Sequence, residues 1–336
     1  MNASVGLGAE PAQLSVVIPI YNEEASLPEL YRRLTHVLSQ NLAELAYEIV
    51  FVNDGSTDGS IQILIKLHAD DPAVKVVNLS RNFGHQAAIT AGLDYAKGNA
   101  VICMDGDGQD PPELIPTLVA RWRDGNDVVY AVRKLRKEGF IKRGCYAAFY
   151  RLLRRLSMVS IPLDAGDFAL MDRRVVDCLK ALPERRRFIR GLRTWIGFQQ
   201  TGVEYERQRR FAGVPKYTWS KLVHLAINGL LSFSAIPLRM ATAFGFMISF
   251  CSLLGIIVAL YLKLFTDQAI PGWTATVIPI LWLGGIQLLS IGILGEYIAQ
   301  IFDEVKQRPI YLIDGILDSE RDSSFQLSPR NTTSTV

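Results

Sequence analysis

Phe51-Val52-Asn53-Asp54-Gly55-Ser56-Thr57-Asp58-Gly59-Ser60 starts as the end of a β-rich apolar run and breaks into a loop of carboxylates, two glycines and several hydroxyls. A strand that stops in such a loop, with an amphipathic stretch of helical length behind it at 59–69, is one unit of a strand-helix-strand repeat. The same alternation runs outward on both sides. Strands are expected at 14–20, 47–52, 74–79, 100–104 and 128–132, and helices at 24–39, 59–69, 85–97 and 112–123. This pattern builds a mostly parallel, Rossmann-like α/β sheet covered on both faces, and ligands of such sheets lie beyond the carboxyl ends of the strands. The chemistry is therefore expected in the loops that follow strands. A short strand at 168–171 and further helical and strand signals extend the domain.

The 336 residues allow one large α/β domain plus an appendage. A net charge of +3 is too small to argue for nucleic acid, and the basic residues cluster at 133–155 and 185–210. Cys103, Cys145, Cys178 and Cys251 form no Cys-x-x-Cys pair, so neither a zinc site nor a disulfide framework is suggested and a reducing compartment is the simpler reading. Residues 1–13 lack the basic and apolar regions of a secretory signal and read as an N-terminal tail, which keeps the domain at 14–216 in the cytosol.

Beyond residue 217 the character changes. Residues 241–262 and 274–295 hold no Asp, Glu, Lys or Arg. At 1.5 Å rise each would reach roughly 33 Å, enough to cross a hydrocarbon core. The short link at 263–273 makes a hairpin of them, within 236–302, so that both termini share one side. Arg239, Lys306 and Arg308 on that side against Lys263 in the link put it in the cytoplasm. Residues 217–235 are expected as an interfacial helix, and 303–336 as a cytoplasmic tail.

Met104-Asp105-Gly106-Asp107-Gly108-Gln109 follows a predicted strand. Two carboxylates separated by one small residue can face a divalent cation that also grips a diphosphate, and a hard ion such as Mg²⁺ or Mn²⁺ favours such oxygen ligands. Taken alone, the same residues also read as a polar turn into the helix at Pro111 and Pro112. The loop from Asp54 to Ser60 can hydrogen-bond a base or ribose, with Asp58 available as a helix cap. Val17-Ile18-Pro19-Ile20-Tyr21-Asn22-Glu23-Glu24 closes the first strand, and loops after strands one, two and four would converge on one crevice.

Together these stretches resemble the family-2 inverting glycosyltransferases of the GT-A fold. Arg81-Asn82-Phe83-Gly84-His85-Gln86, Gly166-Asp167-Phe168-Ala169-Leu170-Met171-Asp172 and Arg210-Phe211-Ala212-Gly213-Val214-Pro215-Lys216-Tyr217 narrow the resemblance to the polyisoprenyl-phosphate branch, which includes dolichol-phosphate mannose synthases and bactoprenol glucosyltransferases, over residues 14–312. The resemblance implies that Pro19, Tyr21, Glu23 and Asp54 hold the nucleoside, with Gly84 and Gly106 in the same donor site. It implies that Asp105, Asp107 and Gln109 hold the metal and diphosphate. Arg133 and Asp167 become active-site residues, Asp167 often being assigned as base, and Arg207, Arg210 and Lys216 a loop over the phosphates. A homo-oligomer, a tetramer, is implied as well. The chain departs from the branch at Gly213-Val214-Pro215-Lys216-Tyr217, where many members carry an acidic or hydroxyl residue that is absent here.

The expected reaction moves a sugar, glucose from UDP-glucose by resemblance, onto undecaprenyl phosphate with inversion. A phosphate monoester has its second pKa at about 6, so the acceptor is already an anionic nucleophile at pH 7 and Asp167 is expected to orient more than to remove a proton. A processive polysaccharide synthase would show Gln-x-x-Arg-Trp, which Arg190-Gly191-Leu192-Arg193-Thr194-Trp195 does not match. A non-catalytic nucleotide-binding membrane scaffold is the rival from another class.

Overall fold

The computed structural model describes residues 13–133, 165–185, 187–206 and 272–319, with isolated positions between 244 and 265. The chain divides into two compact units, one carrying the sheet together with the residues from Arg308 onward, the other running from Tyr217 to Gln307 with the short piece Arg151–Met158.

Strands β1 (Leu14–Ile20), β2 (Tyr47–Asn53), β3 (Val74–Leu79), β4 (Ala100–Cys103) and β5 (Val128–Arg133) lie where their apolar runs place them. Strands β6 (Ala165–Asp172), β7 (Gln200–Tyr205) and β8 (Ile313–Leu317) complete one sheet in the order β7-β5-β6-β4-β1-β2-β3-β8. Pairs β1/β2, β1/β4, β2/β3 and β5/β7 are parallel, whereas β6 runs antiparallel to β4 and β5, and β8 antiparallel to β3. The sheet is mixed and Rossmann-like, as the alternation of apolar runs and helical stretches leads one to expect.

Helices α1 (Leu27–Asn41), α2 (Ser60–Asp70), α3 (His85–Tyr95), α4 (Ile115–Arg123), α5 (Arg173–Ala181) and α6 (Ile189–Ile196) belong to the same unit. Helix α1 buries Leu27, Leu30, Leu34 and Leu38, spaced for one helical face. Its start comes three residues later than the apolar periodicity predicts. Glu24 is drawn into the neighbouring loop, where its carboxylate accepts the Gly59 N–H at 2.8 Å, and Pro28 opens the helix instead. Helix α3 buries Ala87, Ala88, Ala91 and Gly92, and a Cβ on Gly92 would stand 2.1 Å from a methyl of Val17. Small residues are what let this helix lie directly on β1 and β2.

The C-terminal segment differs from the tail expected at 303–336. Residues 313–317 return to the sheet and cover the edge of β3. An exposed strand edge offers unpaired N–H and C=O groups, and β8 satisfies them. The return is keyed by charge as well as by backbone bonds. The ammonium of Lys75 lies 3.0 Å from Glu48 and 3.4 Å from Asp318, all three side chains being nearly buried, while Glu48 also accepts the Ser15 hydroxyl and the Lys97 N–H.

In the second unit, helix α7 (Gly272–Val305) contains the second uncharged stretch and runs ten residues past its expected end. Its portion Trp282–Val305 is long and apolar enough to cross a membrane, and none of it is buried in the protein. The first expected span at 241–262, apart from isolated helical positions, and the interfacial helix expected at 217–235 lie outside the described residues.

Replacing Lys75 by Met, which keeps length and removes charge, takes the ammonium from Glu48 and leaves Asp318 with Lys97, 3.9 Å away and half exposed. The expected loss is about 3 kcal/mol of unfolding free energy. Chemical denaturation measures it, and a loss under about 1 kcal/mol, the range of exposed pairs, would show that the cluster does not hold the C-terminal strand.

Candidate active site

The carboxyl ends of β1, β2, β3, β4, β5 and β7 open on one side of the sheet. Strand β6 is antiparallel, so its amino end enters there: Cys103 pairs with Ala169, and Asp167 lies two residues further out, beside the loop that carries Asp105. Opposed strand directions thus bring together two acidic residues 62 positions apart in sequence.

The loops after β1 and β2 are laced to each other. The Asn22 N–H donates to Ser56 Oγ at 3.0 Å, Asn22 Oδ1 accepts the Thr57 N–H at 2.8 Å, and the Glu23 N–H donates to Ser60 Oγ at 3.0 Å. The loop after β3 leans on the loop after β2: a Cβ on Gly55, where φ is +65°, would stand 2.5 Å from the Arg81 carbonyl carbon. Only glycine meets the conformation and the close approach together. Asp54 fastens that third loop, its two oxygens accepting the N–H groups of Phe83 at 2.7 Å and Gly84 at 3.0 Å. Burial nonetheless raises the Asp54 pKa. Gly84, at φ +99°, then turns the chain into α3.

Of the residues predicted for the nucleoside, Tyr21 is exposed at the end of β1. Pro19 is buried within β1, its carbonyl 2.9 Å from where a Cβ on Gly106 would be. Glu23 accepts the Ser26 hydroxyl at 2.9 Å. The first task of Asp54 is to shape the loop after β3.

Asp105 follows β4, and Asp107 Oδ1 accepts the Gln109 N–H at 3.1 Å, which folds the loop into a tight turn. The Asp105 N–H donates to Asp110 at 3.3 Å; fully buried Asp110 accepts the Tyr205 hydroxyl at 2.8 Å; Arg133 Nε donates to that hydroxyl at 3.2 Å. On the other side, His85 Nε2 lies 3.4 Å from Asp105 Oδ1 and 3.1 Å from Asp167 Oδ2. Asp167 also receives Gln86 Nε2 at 3.2 Å, Arg190 Nε at 2.8 Å and Arg190 Nη2 at 3.1 Å. Arg193, buried one helical turn on, has Nε and Nη2 without a hydrogen-bond acceptor and its guanidinium 5.2 Å from the centroid of the Tyr130 ring.

The three acids differ in what surrounds them. Burial would raise Asp167, but the His85 hydrogen bond and the Arg190 guanidinium outweigh it and hold this carboxyl far below the usual carboxylate range. Burial raises Asp110. Asp105 is pushed up to about 6, by burial first and then by the neighbouring Asp110, with Asp167 and Asp107 adding to it. Its Oδ1 is buried without a hydrogen-bond donor. An oxygen so placed, among carboxylates, is a donor set suited to a divalent cation. Among the described residues, no three His, Cys, Asp or Glu side chains are grouped to hold a metal by themselves. A cation at Asp105 and Asp107 therefore needs oxygens from a ligand as well.

Arg207, Arg210 and Lys216 lie outside the described residues. The sequence reading gave no role to His85, Gln86, Asp110, Arg190, Arg193 or Tyr205. Arg81-Asn82-Phe83-Gly84-His85-Gln86 follows β3 as the other polar loops follow their strands, which was the available signal for His85 and Gln86. Arg190 and Arg193 stand in the basic cluster at 185–210, in a stretch that fails the Gln-x-x-Arg-Trp pattern.

Residues 15–180 match Glycosyl transferase family 2. The uncharacterized glycosyltransferase YkcC of Bacillus subtilis is 49% identical over 302 residues, covering 90% of this chain and 93% of that protein. The SfII prophage-derived bactoprenol glucosyl transferase of Shigella flexneri is 42% identical over 302 residues, covering 90% of this chain and 97% of that protein. Among solved structures, the mannosyltransferase PcManGT of Pyrobaculum calidifontis overlays with a TM-score of 0.45 at 17% identity, over 86% of this chain and 87% of that one, a likeness too distant to bear on the site. Near-complete coverage at this identity, with the strand-end carboxylates in place, makes the chain a glycosyltransferase that belongs to glycosyl transferase family 2.

Proposed function

We propose that this enzyme transfers a sugar from a nucleotide sugar to a polyisoprenyl phosphate, with inversion, at the cytoplasmic face of a membrane; glucose, UDP and undecaprenyl phosphate are the preferred sugar, nucleotide and acceptor. The observation that carries the reading is Asp105, whose buried Oδ1 receives no hydrogen bond and, among the described residues, has only the His85 ring, 3.4 Å away, to balance it, beside Asp167, which is fully engaged. The bactoprenol glucosyl transferase among the relatives supports both the sugar and the lipid acceptor.

Mg²⁺ or Mn²⁺ on Asp105 and Asp107, with Gln109 beside them, would supply positive charge for a departing nucleoside diphosphate. The protein's own groups do the rest. Asp105 and Asp107 fix the diphosphate end of the donor, and the laced loops after β1 and β2 take the nucleoside. Asp167 accepts four hydrogen bonds as a carboxylate, and a carboxylate so engaged is a poor base. Its work is to hold His85 and Arg190 in place at the crevice. The acceptor phosphate arrives already ionised and needs no proton removed before it attacks the anomeric carbon from the face opposite the leaving diphosphate.

Chain connectivity supports the membrane reading. Strands β1 to β7 precede α7 and β8 follows it, yet all eight belong to one sheet. A chain that crosses a bilayer at α7 must cross a second time between β7 and α7, and 241–262 is the uncharged stretch available there. Lys306 and Arg308 after α7 and Arg239 before the first stretch favour the cytoplasm for the sheet.

Purified protein given UDP- and GDP-sugars, polyprenyl phosphate and Mg²⁺ or Mn²⁺ should form a glycolipid, and Asp105→Asn should lower its rate by about a thousandfold. Normal turnover in that variant would remove the metal from the reading; nucleotide binding without any transfer would favour the scaffold. Asp167→Asn should cost about 3 kcal/mol of stability at pH 7, because Arg190 and His85 lose their anion. The folded pKa of Asp167 is depressed, so its contribution is in place above the unfolded value of about 3.9 and is lost as pH falls further. Denaturation at pH 7 and pH 3 should therefore show the gap between wild type and variant shrinking in acid; a constant gap would contradict the ion pair.

A further inference from the structure

Residues on the C-terminal strand touch the proposed donor loops through a line of side chains that the reaction does not use. Asn78 pairs with Gly315 but Leu79 pairs with Ile313, so β8 carries one extra residue, Asp314, as a bulge. Bulges re-aim side chains, and this one sends the Asp314 carboxylate to Asn78 Nδ2 at 3.1 Å. Asn78 Oδ1 accepts Asn53 Nδ2 at 2.7 Å, and Asn53 Oδ1 accepts the Ser56 N–H at 3.2 Å. Ser56 Oγ then accepts the Asn22 N–H at 3.0 Å, and Asn22 Oδ1 the Thr57 N–H at 2.8 Å. Asn53 and Asn78 are buried, whereas Asp314 is exposed.

The line has a direction fixed by its ends. A carboxylate only accepts, and a backbone N–H only donates. Asn78 must therefore turn its amide NH₂ toward Asp314 and its carbonyl toward Asn53, and Asn53 must turn the same way toward Ser56. Reversing either amide places two donors or two acceptors against each other in a site closed to water, which is costly. Asn22, held at φ +55°, is an uncommon backbone state that this end of the line keeps in place.

We propose that Asp314 and Asn78 are positioning residues for the nucleotide site, with β8 setting the shape of the loops after β1 and β2 through the Asn53 amide. This rests on the reading of those loops as the donor site. Neither residue touches the nucleotide, so both act on its affinity through loop geometry.

The test measures two things on the full-length protein in detergent: the dissociation constants of UDP and GDP with Mg²⁺, and amide hydrogen exchange of the peptides covering residues 53–58. Asp314→Ala should weaken the nucleotide that binds by about five- to tenfold and speed exchange in those peptides, as expected for one lost charge-assisted hydrogen bond. Asp314→Asn keeps an acceptor and should stay within about twofold of wild type. Asn78→Asp sets two carboxylates against each other and should be worse than Asp314→Ala; adding Asp314→Asn to it restores a donor facing an acceptor and should recover most of the affinity. A purely structural role would track melting temperature and show no such recovery. Unchanged exchange and affinity in Asp314→Ala, or a double variant no better than Asn78→Asp, overturns the proposal, and the exposed Asp314 site keeps it open to refutation if Asn78→Asp fails to fold. Faster exchange with no nucleotide bound even by wild type would overturn the role of the line in donor binding by sinking the donor-site reading itself, which the exchange data separate from a missing line.

Discussion

Like charges crowded into a poorly solvated crevice must be balanced, and the way Asp105, Asp110 and Asp167 are balanced organises this end of the molecule. Asp167 is neutralised from within by His85 and Arg190. Asp110 is satisfied by the Tyr205 hydroxyl, with Arg133 behind it. Asp105 shares His85 at 3.4 Å, but its Oδ1 receives no hydrogen bond, and burial together with Asp110 pushes its pKa up to about 6. The acid with the fewest donors of its own is the one to which the proposed function assigns a charge carried in by a ligand.

Strand direction makes this possible. Parallel strands deliver their ends to one side, which is why Asp54, Asp105 and Arg133 meet there despite their separation in sequence. One antiparallel strand suffices to bring Asp167 to the same place from the opposite direction. The small residues on α3 matter for a related reason: by letting the helix lie on β1 and β2, they bring His85 at its amino end to within reach of both Asp105 and Asp167.

Much of this was legible in the residues. Five apolar runs bounded by polar loops located β1 to β5, because a buried parallel strand leaves a continuous hydrophobic signature. Asp105 and Asp107 stand out only as one of several polar loops that follow strands, since alone they read equally as a turn into a helix. What stayed hidden depended on contacts between distant parts of the chain. Strand β8 is five residues with an aspartate and a glycine in them, too short and too polar to signal a strand until β3 is beside it. Arg190 acquires meaning only from Asp167, and Tyr205 only from Asp110. Asp54 looked like a ligand-binding acid by its place after a strand, and the same place allows it to fasten the next loop.

The edge strand that follows α7 has a consequence for biosynthesis. Because β8 is translated after every other strand and after the long apolar helix, the nascent sheet emerges with the β3 side open, and it stays open while α7 is being made. The last strand can dock only once its own residues have left the ribosome. Completion of the catalytic sheet is thereby ordered after synthesis of the hydrophobic segment, so that a chain truncated before that point carries an unfinished fold.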